Sequence, residues 1–206
     1  MAQLNDPKRN DAIIRSSPGF FLEWLLPLSE NEKIEDYAKR MAQLVTEENP
    51  VLIGVSFGGI IVQEISKHLN VKKIILISSV KNRKELPKRL KVIQKTWVYK
   101  LFPTTYINSV EDFSKYAFGD FAKKRVKLYK EYLSVRNSHY LNWAIYNVLN
   151  WQQKKTLKNI IHIHGTEDHV FPIKHIKNCI PIEKGTHVMI LNKAKSISKI
   201  ITQAIN

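Results

Sequence analysis

Three short stretches of the chain carry residue types that chemistry could use: VLIGVSFGGIIV around Ser56, HGTEDHVFP around Asp168, and GTHVMIL around His187. A serine hydroxyl is a weak nucleophile until an adjacent base takes its proton, and that base needs a third group to hold its tautomer. Ser56 stands in Gly54-Val55-Ser56-Phe57-Gly58, a G-x-S-x-G spacing at the junction of two apolar runs. The spacing suits a sharp turn from a strand into a helix, where the serine takes strained backbone geometry and the residues two before and two after it lack side chains. Gly54 and Gly58 meet that demand. Gly59 would let the helix approach the sheet closely, and a helix N-terminus favours negative charge beside the serine oxygen.

Seven histidines compete for the base: His68, His139, His162, His164, His169, His175 and His187. Only His187 lies between the last strand-like run and the closing helix, where the chain order would bring an imidazole over the serine. For the acid, HGTEDHVFP offers Glu167 and Asp168 just beyond the preceding strand, and Asp168 has the better offset from His164-Gly165. His169 adjoins Asp168 and cannot take its orienting bond while facing Ser56, so it reads as a solvated neighbour. His162 and His164 share one face of a strand, which with Asp168 could suggest metal ligation. Without a third convincing ligand, no metal site is expected. His68, late in an exposed helix, reads as surface.

The elements that must position these residues follow from periodicity. Residues 29–45 set Ile34, Ala38, Met41 and Val45 at helical spacing, with Ser29 and Glu32 in a capping-box pattern. Pro50 introduces the short strand VLIGV, FGGIIVQEISKHLN reads as a helix closed by Asn70, and VKKIILIS as the next strand. The apolar run at residues 19–28 contains Glu23 and Pro27 and is far shorter than the roughly 20 residues of a membrane span; it reads as a strand over residues 20–25. This alternation predicts a parallel sheet. It resumes with KNIIHIHG, a helix after Pro172, NCIPIE and a closing helix striped by Ala194, Ile197, Ile200, Ile201, Ala204 and Ile205. Between Val80 and Lys155 there is no strand-like alternation, but aromatics recur at helical intervals. The chain is therefore divided into a first core part at residues 1–79, a helical cap insertion at 80–157 and a second core part at 158–206.

At 206 residues and 44% hydrophobic composition the chain has the material for one domain with a real core. Cys179 stands alone, which rules out an intramolecular disulfide, and MAQLNDPKRNDAIIR lacks the basic-then-apolar order of a secretory signal; both fit a cytoplasmic protein. The net charge of +15 concentrates in residues 81–95 and 123–130, which read as a solvated basic helical face. No nucleic-acid motif accompanies it, so no nucleic-acid partner is expected, and a weak association of the basic cap with anionic surfaces stays open.

VLIGVSFGGI, then HGTEDHVFP, then GTHVMILNKAKSISKII, in this order, resemble the α/β-hydrolase superfamily, specifically small carboxylesterase-like members with a helical cap. The resemblance implies an α/β fold: a mostly parallel sheet flanked by helices, N-terminally shortened, with an inserted α-helical cap. It implies Ser56 as nucleophile, Asp168 as acid, His187 as base, the backbone N–H of Phe57 as an oxyanion donor, and no cofactor. Members usually begin with extra strands and a glycine-containing loop that supplies a second oxyanion donor, whereas this chain starts at MAQLNDPKRND. That loop would be missing or cut short, with Ala2, Gln3 or Leu4 at its end. Residues 20–25 would then pair directly with residues 51–55, unless the chain is a fragment. The expected activity is cleavage of a small ester or thioester through an acyl-enzyme on Ser56. The alternative is a non-catalytic ligand-binding or scaffolding protein without a complete oxyanion hole.

Overall fold

Four short runs rich in isoleucine and valine build the sheet: β1 Val51–Val55, β2 Lys73–Ile77, β3 Ile160–Gly165 and β4 Ile180–Ile182. They are seen in a computed structural model that describes residues 21–88, 90 and 138–205. Every neighbouring pair is parallel and the spatial order is β1-β2-β3-β4, so sequence order is sheet order. The register pairs Val55 with Ile77, Ile77 with Ile163, and Gly165 with Ile182, which lines up the carboxyl ends of the strands along one rim. Side chains from a parallel sheet must be covered on both faces, which accounts for the near-continuous apolar reading of β2 and β3.

One face is covered by α1 Ile34–Ala42 and α2 Phe57–Ile65. In α1 the buried Ile34, Tyr37, Ala38 and Met41 recur at helical spacing and form the stripe facing inward. α2 is apolar nearly all round and is buried almost throughout, lying between α1 and the sheet. α3 Ser138–Asn150 adds Tyr140 and Trp143 to the same core, and the Trp143 indole N–H donates to the Glu32 carbonyl at 2.7 Å. On the other face, Ile197 and Ile201 of α4 Ala194–Ile205 pack against Ile75, Ile77, Ile163 and Met189. Among the described residues no helix is long and apolar enough to cross a membrane.

Several sequence expectations are corrected. Residues 21–27 form no strand, so among the described residues β1 pairs with β2 alone. The carbonyls of Leu25 and Leu26 accept from the Tyr37 hydroxyl and the Arg40 guanidinium of α1 instead of entering a ladder. Ser29 and Glu32 do not cap α1, which starts at Ile34 behind Lys33; the Glu32 carboxylate takes the Leu28 N–H and a two-pronged bond from Arg40. α2 stops at Ile65 rather than Asn70. After Pro172 there is one 3-10 turn, Ile173–His175, because β4 begins too soon for a helix. Lys81 is not part of a solvated face: it is 5% exposed and pairs with the equally buried Glu85. Most of the expected cap, including the basic run at 123–130, lies outside the described residues, as do residues 1–20. Within the 80–157 segment the described portion holds α3 and a 3-10 turn, Arg83–Glu85.

The turn from β1 into α2 depends on Gly54 rather than on Gly58. A Cβ on Gly54 would stand 2.3 Å from the Gly58 carbonyl oxygen and 2.7 Å from Gly59 Cα, atoms of the helix backbone that cannot swing aside. At Gly58 the nearest neighbour is the Trp24 ring at 3.5 Å, an ordinary contact, so that position does not require a bare backbone. Gly54→Ala is expected to lower unfolding free energy by about 3 kcal/mol, the cost of severe overpacking. Gly58→Ala should change it by less than about 1 kcal/mol, since alanine is the better helix former. Urea midpoints of the two variants measure the contrast.

Candidate active site

Ser56 is both the last residue before α2 and its N-cap, with φ 54° and ψ −121°. A non-glycine residue in that region costs on the order of 1–3 kcal/mol and persists only where its surroundings over-determine it. Here they do so three times. The Ser56 N–H donates to the Ile77 carbonyl at 2.9 Å, the Ser79 hydroxyl donates to the Ser56 carbonyl at 2.7 Å, and the Gly59 N–H donates to the same carbonyl at 3.0 Å. Ile77 and Ser79 belong to the end of β2 and the turn after it, so the neighbouring strand clamps the serine backbone.

The Ser56 hydroxyl oxygen lies 2.8 Å from His187 Nε2, and His187 Nδ1 lies 2.9 Å from Asp168 Oδ2. The structure thus brings together the three side chains singled out in the sequence, from the ends of β1, β3 and β4. Asp168 Oδ1 accepts the backbone N–H groups of Val170 and Phe171 at 2.8 and 2.9 Å, which fixes the carboxylate. The Phe171 ring stands edge-on to the His187 imidazole at 5.5 Å, and His187 is 8% exposed. Burial is the largest single influence on Asp168 and pushes its carboxyl up. The attraction and hydrogen bond of His187, the Phe171 N–H and His164 together outweigh it, and the net shift is down.

The loops that carry Asp168 and His187 are held against each other where Gly165 crosses Gly185. A Cβ on Gly165 would be 2.2 Å from the Gly185 carbonyl oxygen, so the two backbones touch only because both residues are glycine. The Glu167 N–H donates to the Gly185 carbonyl at 2.8 Å, and the Lys184 N–H to the Thr166 hydroxyl at 2.9 Å. α2 starts at Phe57, directly after the serine, where the first N–H groups of a helix lack intrahelical acceptors and the helix dipole has its positive end. Residues 2–4, expected near a second oxyanion donor, lie outside the described residues. An aromatic layer adjoins the serine: Trp24 stacks on Phe57 at 6.2 Å and meets Tyr140 at 5.8 Å, and Phe57 meets Trp143 at 5.7 Å. Trp24 was missed in the sequence because it sat inside the supposed strand.

His162 and His164 are fully buried on β3 and bond to one another at 3.2 Å rather than facing an open ligand site. Burial, reinforced by Lys81 and His164, pushes His162 down to about 2. Burial likewise lowers His164, against the pull of Asp168. His169 and His68 are exposed.

No family model and no curated protein matches the sequence. Solved structures do. The chain is similar to a hydrolase from Pseudomonas aeruginosa PA01 (TM-score 0.67, 14% identity, 88% of this chain and 74% of that one). It is also similar to an epoxide hydrolase from Bacillus megaterium (TM-score 0.60, 14% identity, 86% and 77%) and to a thermophilic esterase from Thermogutta terrifontis (TM-score 0.56, 12% identity, 91% and 76%). At such identities the likeness is one of fold.

The buried histidines give the stability a pH dependence. Their folded pKa values lie below the ordinary 6.5, so beneath that pH the unfolded chain binds more protons than the folded one. Their contribution is complete above 6.5 and is lost as pH falls through the window toward about 2 for His162. Unfolding free energies from urea titrations taken downward from about pH 7 should fall by up to about 1.4 kcal/mol per pH unit for each histidine. A His162→Gln variant, which cannot take up the proton, should lose part of that slope.

Proposed function

From the α/β-hydrolase fold of the chain, we propose that it is a serine hydrolase cleaving a small carboxylic ester or thioester. Ser56 attacks the substrate carbonyl while its proton passes to His187 Nε2. Asp168 holds the opposite ring nitrogen, keeping the imidazole in the accepting tautomer and stabilising the imidazolium that forms. The tetrahedral oxyanion meets the Phe57 N–H at the positive end of α2. Its collapse breaks the carbonyl bond to the leaving oxygen or sulfur, which takes the proton back from His187, and leaves the acyl group on Ser56. Water, deprotonated by His187, then releases the acid. Trp24 and Phe57, which stack on each other and keep exposed surface, would offer an apolar wall for the acyl group. With a net charge of +15, the protein would also meet anionic surfaces weakly, an association that salt screens away.

The observation that supports this reading is the unbroken file from hydroxyl to imidazole to carboxylate, at 2.8 and 2.9 Å, across residues 131 and 19 positions apart. A chain-length series of p-nitrophenyl esters tests it. Wild type should turn over with a preference among acyl lengths, Ser56→Ala should not, and Asp168→Asn should lose roughly 10^4-fold in kcat. Absence of turnover in the folded wild type would favour a ligand-binding protein of the same fold.

A further inference from the structure

Asp168 has a second imidazole beside it that the reaction above does not use. His164 Nε2 lies 3.5 Å from Asp168 Oδ2 and 2.8 Å from the Phe171 carbonyl oxygen. His164 Nδ1 is 3.2 Å from His162 Nε2, and His162 Nδ1 is 3.1 Å from Lys81 Nζ. The Lys81 ammonium also meets Glu85 Oε1 at 2.9 Å and the Lys177 carbonyl. Lys81, His162, His164 and Asp168 are each no more than 5% exposed.

The direction of this file is set at one end. A lysine ammonium has three donors and no acceptor, so His162 Nδ1 must accept from it. The His162 proton then sits on Nε2 and points at His164 Nδ1. His164 in turn carries its proton on Nε2, where it donates to the Phe171 carbonyl and faces the Asp168 carboxylate. The opposite tautomer would aim a lone pair at two oxygen acceptors at once. Burial keeps both rings neutral, as the sequence of donors requires.

We propose that Lys81, His162 and His164 form a positioning relay that fixes the proton on His164 Nε2 and thereby keeps the Asp168 carboxylate ionised and turned toward His187. The tautomer assignment stands on geometry alone; its catalytic consequence rests on the hydrolase reading. Among the described residues, the other charged or titratable groups facing the relay are Glu85, which balances Lys81 in the same segment, Cys179 beside that pair just before β4, and His187 across Asp168. The His162 ring N–H also leans toward the Ser79 backbone carbonyl, which accepts from it and favours the protonated ring.

Nitrogen-15 NMR of histidine-labelled wild type near neutral pH should show both His162 and His164 as Nε2–H tautomers. His164→Leu should lower kcat about 10-fold at unchanged KM, the size of effect expected when an orienting partner is removed. The acid limb of its kcat/KM profile should move up by about half a pH unit, because without the facing N–H the Asp168–His187 pair takes up its proton at higher pH. His164→Gln, which returns a non-titrating N–H near the Nε2 position, should recover most of both effects. The double variant Lys81→Met, Glu85→Gln, which leaves no unpaired buried carboxylate, should move the acid limb in the same direction. An Nδ1–H tautomer on His164 in wild type overturns the relay. So does a folded His164→Leu whose kcat and profile match an active wild type. If wild type lacks ester turnover, the hydrolase reading fails while the NMR spectrum still decides the relay. If the variants do not fold, that spectrum again decides.

Discussion

The site depends on holding one non-glycine residue, Ser56, at a backbone conformation that an isolated chain avoids, with φ 54° and ψ −121°. Strain on the order of 1–3 kcal/mol is small beside the burial of α2, but it must be opposed at that residue or the turn relaxes. The opposition comes from the end of β2, through the Ile77 carbonyl and the Ser79 hydroxyl, and from Gly54, whose bare Cα lets the start of α2 rest on β1. The strand pairing that builds the core is thus the same interaction that aims the hydroxyl. The first turn of α2 starts beside that hydroxyl as a consequence of the same turn.

Because strand order equals sequence order in this parallel sheet, the loops after β1, β3 and β4 emerge at one rim in the order serine, aspartate, histidine. The Gly165–Gly185 crossing sets the spacing of the last two loops. A buried carboxylate there needs donors, and Asp168 has two backbone N–H groups and His187, with His164 alongside. His164 would be costly to bury unless its own donor and acceptor were matched, and His162, Lys81 and Glu85 supply the matching in sequence. The polar network beneath the acid is therefore continuous from a salt-bridged lysine to the serine hydroxyl.

Much of this was legible in the sequence. VLIGV, KIILI and IIHIHG announced themselves as strands because their apolar runs are bounded by turn residues, and the glycines flanking Ser56 marked the turn. Asp168 and His187 were singled out from their places after the last two strand-like runs. Other features were hidden because tertiary contacts decide them. Residues 21–27 have strand composition, yet Tyr37 and Arg40 claim the Leu25 and Leu26 carbonyls. Ser29 and Glu32 have capping-box spacing, yet Arg40 draws the carboxylate away. Lys81 looked like the start of a solvated basic run, and the only local sign of its burial is Glu85 four residues on, just after the apolar end of β2. His162 and His164 were visible as a same-face pair, but their hydrogen-bonded state depends on Lys81, which is 81 positions away from His162.

The proposal that Ser56 is held as an activated nucleophile by His187 and Asp168 is the point on which the function turns. Its most direct test is covalent capture: treat the folded protein with a fluorophosphonate and map the modified peptide by mass spectrometry. One adduct is expected, on Ser56, and His187→Ala should greatly slow its formation in a protein that remains folded. A wild type that takes up no phosphonate, an adduct on another residue, or capture that proceeds equally fast without the imidazole would contradict it.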